Sequence, residues 1–248
     1  MKHFKICAFI ILFVCNFSVW AQFKDKQTDK GKWENPFLKD QLNSAYTIST
    51  EYETSEANNI FKVKENSIEA LYTWEGEKAP FAIITTNKEY SYYNLELEYR
   101  WGERKFAPRL EEKRDAGILY HIQGEKIIWP RSLECQIQEG DTGDLWVIRG
   151  PKVTVLESDG NEKFLDSKTS EYLRNVRYKN FEIDGWNKVR LEIRGSESAK
   201  YYVNGHLVNE IKNLLDLNGN PLSKGTISLQ AEGAELTYKN IRIQEIQN

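Results

Sequence analysis

The 248 residues are 40% apolar, 12% aromatic and 29% charged, a composition that suits a folded chain with a sizeable core and excludes a disordered or low-complexity polymer. With 34 basic and 37 acidic residues the formal charge is -3, which provides no global basic field for nucleic acid or anionic lipid. The length suits one all-β unit, since such domains commonly exceed 200 residues.

The chain opens MKHFKICAFIILFVCNFSVWAQ. A basic start at Lys2 and Lys5, an apolar run from Ile6 to Trp20 and the small Ala21 together predict a secretory signal peptide over residues 1–21, cleaved after Ala21. The apolar run is shorter than the ~20 residues that cross a bilayer core. The expected product is exported to the periplasm or the medium, with no membrane attachment after the signal is removed. It keeps Cys135 as its single cysteine, so no intramolecular disulfide is expected. Cys135 alternates with Leu133 and Ile137 and reads as a packing residue.

Residues 22–58 are polar and aperiodic and read as an entry segment lying over a domain that spans 59–248. From Ile60 onward, short β-branched and aromatic runs recur between turn residues, the pattern of a β-sandwich or barrel. Tyr93, Leu95, Leu97, Tyr99 and Trp101 alternate strictly with Asn94, Glu96, Glu98 and Arg100, which predicts a strand with one face in the core. Val189 to Arg194 and Ile227 to Ala231 alternate in the same way, and Asn204-Gly205 predicts a hairpin with a type I′ turn. The helix candidates are Asn35 to Asn43 and Asp166 to Val176. Glu103 to Arg114 and Glu157 to Glu171 read as charged loops of the kind on which sites are built.

No P-loop, GxGxxG, GxSxG, HExxH or paired CxxC occurs. Only His121 and His206 lie beyond the signal, which disfavours a Ser-His-Asp triad or a multi-histidine zinc site and turns attention to carboxylates. The densest segments are Asp115 to His121 and Trp129 to Trp146. A strand over Ser132 to Gln138 places Leu133, Cys135 and Ile137 in the core and Glu134, Gln136 and Gln138 together on the other face. Flanked by Trp129, Trp146 and Arg131, that polar row suits a sugar, whose hydroxyls take amides and carboxylates while its C–H faces stack on indole. In a strand from Ala116 to Ile122, alternation groups Gly117, Leu119 and His121, with His121 a candidate proton carrier. Glu139, Asp141 and Asp144 could hold a calcium-type ion through oxygens, although acid-rich glycine turns are commonly plain loops.

These blocks, with Gly185-Trp-Asn, Val203-Asn-Gly and the Gly225-Thr-Ile-Ser-Leu-Gln ending, resemble the 3-keto-disaccharide hydrolase domain family over about residues 59–246. The resemblance implies a concanavalin A-like jelly roll of two antiparallel sheets with a concave, sugar-facing groove. It also implies cleavage of glycosides oxidised at C3, by elimination across C1–C2 to a keto-glucal that some members then hydrate. On this reading Glu134 or His121 is the base, and Arg131 or a divalent metal ion stabilises the enolate. Gln136, Gln138 and Trp146 contact the sugar, together with Trp129, Arg100 and Asp115. The family often has Asn-Ser-Gly where this chain has Asp115-Ala116-Gly117. Two other classes fit the same residues. Glu134 and Glu139 have the spacing of the laminarinase-type glucanase pair, which requires a β-bulge to bring both carboxylates to one face, and a lectin-like module would bind sugar without chemistry.

Overall fold

The computed structural model describes residues 30–37, 46–49, 60–125 and 127–247. These residues form seventeen strands and, among them, no helix. In chain order the strands are β1 (Lys30–Glu34), β2 (Tyr46–Ser49), β3 (Phe61–Lys64), β4 (Ser67–Ala70), β5 (Ala82–Thr85), β6 (Tyr92–Lys105), β7 (Asp115–Gln123), β8 (Arg131–Gln138), β9 (Leu145–Ile148), β10 (Lys152–Leu156), β11 (Glu162–Asp166), β12 (Tyr172–Asn175), β13 (Asn187–Arg194), β14 (Ser198–Val203), β15 (His206–Leu215), β16 (Thr226–Ala231) and β17 (Ala234–Ile246). They build two antiparallel sheets. One runs β11-β10-β15-β14-β13-β6-β17-β4-β3 with β1 added along β17, and the other runs β12-β9-β8-β7-β16-β5-β2. This is the jelly-roll sandwich expected.

Period-two patterning explains the layers, because successive side chains leave opposite faces of a strand. Tyr93, Leu95, Leu97 and Tyr99 of β6 meet Leu133, Cys135 and Ile137 of β8 in one continuous core between the sheets. The alternate residues of β6 are less exposed than their polarity suggests. Glu96 is buried in company with Lys188 and Arg190 of β13 and Arg242 of β17, which pair with it, and this holds its carboxyl down at about 2 against the opposing effect of burial. Asn204 and Gly205 both have positive φ between the paired residues Val203 and His206, as a type I′ turn requires.

Some expectations are corrected. The segment 22–58 contributes two strands instead of lying over the domain: β1 pairs with β17 in one sheet and β2 with β5 in the other. The helix candidate Asp166 to Val176 contains strand β12, and the charged stretch Glu157 to Glu171 contains strand β11. Residues 38–43 of the other helix candidate, and the signal-peptide reading over 1–21, lie outside the described residues.

Candidate functional site

The outward face of the seven-stranded sheet carries a graded row of side chains, readable from register because residues directly opposite share a face. Gln138 of β8 lies across from Asp115 of β7, which bridges to Glu232 just past β16. Next come Gln136, Gly117 and, beside Gly117, Gln230. The following rank is Arg174, Trp146, Glu134, Leu119 and Ser228, and the last holds Tyr172, Ile148 and Ser132. The face therefore passes from carboxyls and amides at one end to aromatic and aliphatic groups at the other, with Glu134 at the boundary. These side chains line a cleft of about 300 Å³, the lower end of the range for small-ligand sites.

At the polar end Asp115 accepts hydrogen bonds from Gln136 Nε2 at 2.9 Å and Gln138 Nε2 at 2.6 Å, and pairs with the Arg109 guanidinium at 2.7 Å. The same guanidinium donates to Glu232 at 3.0 Å. One cation thus serves two carboxyls. Burial pushes both Asp115 and Glu232 up from the ordinary carboxylate range, while Arg109 works against that rise. Gln230 Nε2 donates to Glu134 Oε1 at 2.9 Å. Among the described residues Glu134 has no cationic partner; it is only 5% exposed, and is pushed well above the usual range, first by burial and then by the charges of Asp115 and Glu232. Among the described residues, Arg109 Nε, Gln136 Oε1 and Gln230 Oε1 of this site are buried without a hydrogen-bond partner.

Of the residues singled out in the sequence, the structure brings Glu134, Gln136, Gln138, Asp115, Trp129 and Trp146 into this cleft. Trp129 and Trp146 pack against a small apolar cluster of Leu119, Ile122 and Ile148, separate from the main core. His121, Arg131 and Arg100 lie elsewhere. A bulge follows Tyr120, and His121 takes a φ of +51°. The bulge breaks alternation, so that Ile122 joins the cleft-side cluster while His121 turns inward, fully buried, to set Nε2 3.0 Å from the carbonyl oxygen of Gly195. Burial lowers its pKa to about 4. Arg131 donates from Nε to the Arg149 carbonyl at 3.1 Å, as its odd position in β8 requires. Arg100 belongs to the other sheet and stacks over Trp186 at 4.8 Å.

The calcium-type reading of the Glu139 to Asp144 turn is replaced by ion pairs. Asp144 is held by Arg174 and Arg177, Asp141 by Lys113, and Glu139 by Arg114. Strand β8 also keeps unbroken register from Leu133 to Gln138 against β7, so no bulge brings Glu139 to the face of Glu134 and the two-glutamate glucanase geometry is not assembled. Cys135 is a buried core thiol, pushed up by burial. Nor do the cleft residues form a metal cage. Asp115 is already bonded by two amides and a guanidinium, and among the described residues no group of three His, Cys, Asp or Glu could hold a metal ion.

Five cleft residues were missed, Ile148 of the short strand β9 among them. Gln230 and Glu232 continue the polar face of the Ile227–Ala231 alternation, a signal that period two could have supplied. Arg109 stands in the charged stretch already marked as a loop, with nothing local to show its target. Tyr172 was hidden by the helix reading.

Comparison with known proteins agrees with this architecture. The family model described as the 3-keto-alpha-glucoside-1,2-lyase-like domain matches residues 16–244. The chain belongs to that family. It is thereby one of the carbohydrate-active jelly-roll domains. The protein solved as "Putative glycosyl hydrolase" from Parabacteroides distasonis ATCC 8503 superposes with a TM-score of 0.52 at 19% identity, covering 86% of this chain and 98% of that one. A carbohydrate-binding module, CBM66 of Bacillus subtilis, gives 0.48 at 11% identity over 80% and 95%. The β-glucanase of Bacillus licheniformis gives 0.45 at 13% over 89% and 100%. The first of these, at 19% identity, shows a likeness of fold alone. No curated protein matches the chain.

Proposed function

We propose that this lyase-like domain is an exported enzyme that cleaves 3-keto-glycosides by elimination, with Glu134 as the group that moves the proton. The observation that supports this best is the placing of Glu134: a buried carboxyl with raised basicity, bonded to one amide and, among the described residues, paired with no cation, at the midpoint of a cleft that is polar on one side and aromatic on the other. A ketone at C3 acidifies the C2 hydrogen, so a carboxylate can remove it without an oxocarbenium ion.

The step balances within one site. The ionised Glu134 takes the C2 proton, and the C–H electron pair passes into the enolate at C3. As the ketone re-forms, the C1–C2 double bond is made, the C1–O bond breaks and the aglycone oxygen takes the proton back from Glu134. The products are a keto-glucal and the free aglycone, and hydration of the glucal would follow as a separate addition of water. Developing enolate charge falls to Arg109, whose Nε has no hydrogen-bond partner among the described residues, while the Gln136 and Gln230 carbonyl oxygens, likewise unpartnered among those residues, face sugar hydroxyls. A divalent ion is not needed for any of these steps.

The test is to incubate the purified protein with a 3-keto-glucoside and with its unoxidised parent, each with and without a chelator, and to follow aglycone release and enone absorbance. Cleavage of the keto substrate alone, chelator or not, supports the proposal. Cleavage of the parent would replace it with ordinary glycoside hydrolysis, and survival of both would favour a binding module.

A further inference from the structure

Beyond Glu134 the cleft changes chemical character. Trp146 lies directly across from Glu134, Ile148 follows it on β9, and Tyr172 of the edge strand β12 pairs with Ile148. Tyr172 is 45% exposed although a large aromatic. Leu119, Ile122 and Ile148 make an apolar cluster outside the main core, and Trp146 packs against it. Two cationic side chains of the neighbouring strands are engaged: Arg174 pairs with Asp144 and also sits over Trp146 at 5.9 Å, and Arg131 is bonded to the Arg149 carbonyl. The buried amide oxygens of Gln136 and Gln230, without a hydrogen-bond partner among the described residues, belong to the other end of the cleft.

We infer that the Trp146–Ile148–Tyr172 end is an aglycone subsite built for an apolar, aryl-bearing leaving group in preference to a second sugar. This rests on the elimination reading, which puts the oxidised sugar at the polar end and the breaking C1–O bond at Glu134. A second sugar would carry several hydroxyls onto indole, aliphatic and phenol side chains, and each unpaired hydroxyl costs free energy on leaving water. An aryl group has no such demand and gains from stacking on the indole and phenol faces.

The experiment compares ethyl and 2-phenylethyl 3-keto-glucosides, which differ by a ring but release alcohols of similar acidity, alongside a 3-keto-disaccharide. The phenylethyl compound is expected to have kcat/KM about tenfold or more above the other two, in line with burial of one ring. Tyr172→Ala and Trp146→Ala should bring the phenylethyl-to-ethyl ratio below about threefold. Equal rates for ethyl and phenylethyl substrates, or faster cleavage of the disaccharide, would overturn the subsite and leave the elimination reading standing. If none of the three is cleaved, the elimination reading fails, and tryptophan-fluorescence titration with the unoxidised ethyl and phenylethyl glucosides decides the subsite alone. Tighter phenylethyl binding that Tyr172→Ala removes upholds it, and equal binding refutes it.

Discussion

The Glu134 carboxylate occupies the space above Gly117: a Cβ placed on Gly117 would fall 2.0 Å from Glu134 Oε1. Gly117 faces the cleft between Asp115 and Leu119, so the missing side chain is what allows a long acidic residue on the neighbouring strand to lie across β7 and meet Gln230. Gly117→Ala is therefore expected to leave the fold intact at a cost of about 1–3 kcal/mol and to cut kcat about 100-fold by displacing the carboxyl. Thermal unfolding and turnover, measured together, check both halves.

Glu134→Gln should remove activity and raise stability at neutral pH. The folded protein holds Glu134 above its ordinary range, so as pH rises above about 4.5 the unfolded chain ionises this group before the folded one does. The unfolded state then holds fewer protons, and stability contributed by this site falls with increasing pH. Glutamine abolishes that penalty, and its carbonyl oxygen can still accept from Gln230. The gain in Tm over the wild type should be near zero at pH 4 and grow toward pH 8. Wild-type kcat/KM should climb over the same direction, because the base must be ionised to act.

Arg109 pairs with both Asp115 and Glu232, and its removal leaves two buried carboxyls without a cationic partner among the described residues. Arg109→Met is expected to cost roughly 3 kcal/mol at pH 8 and clearly less at pH 5, where both carboxyls, already raised by burial, take up protons. Chemical denaturation at the two pH values tests the sign. A cost independent of pH would mean that the loss comes from packing of the side chain.

His121 predicts the opposite slope from Glu134. Its pKa is about 4 in the fold and near 6.5 when unfolded, so below 6.5 the unfolded chain takes up a proton that the folded one refuses. Stability contributed by this residue is complete above pH 6.5 and falls by about 3 kcal/mol as pH drops toward 4. His121→Gln, which retains a donor for the Gly195 carbonyl, should flatten that part of the stability profile. The profile of kcat/KM against pH should keep its shape, since His121 lies on the other side of the sheet from the cleft.

Much of this was legible in the sequence because alternation carries it. The β8 strand, its core set and its polar row follow from period two alone, and the same rule extended along β16 reaches Gln230 and Glu232. It failed at His121, where one extra residue in β7 exchanges the faces, because a bulge leaves no mark in hydropathy. Arg109 was illegible for a different reason: its partners Asp115 and Glu232 lie 6 and 123 positions away in sequence, and only the closing of β7 against the end of β16 brings them together. Strand β12 read as a helix because four residues of mixed polarity are too few to show a period.

The claim that Glu134 takes a proton from C2 is tested most directly with a 3-keto-glucoside deuterated at C2. Elimination predicts a primary isotope effect on aglycone release, a keto-glucal without deuterium, and loss of both signals in Glu134→Gln. Aglycone release with no isotope effect and with deuterium retained at C2 of the sugar product would contradict the account.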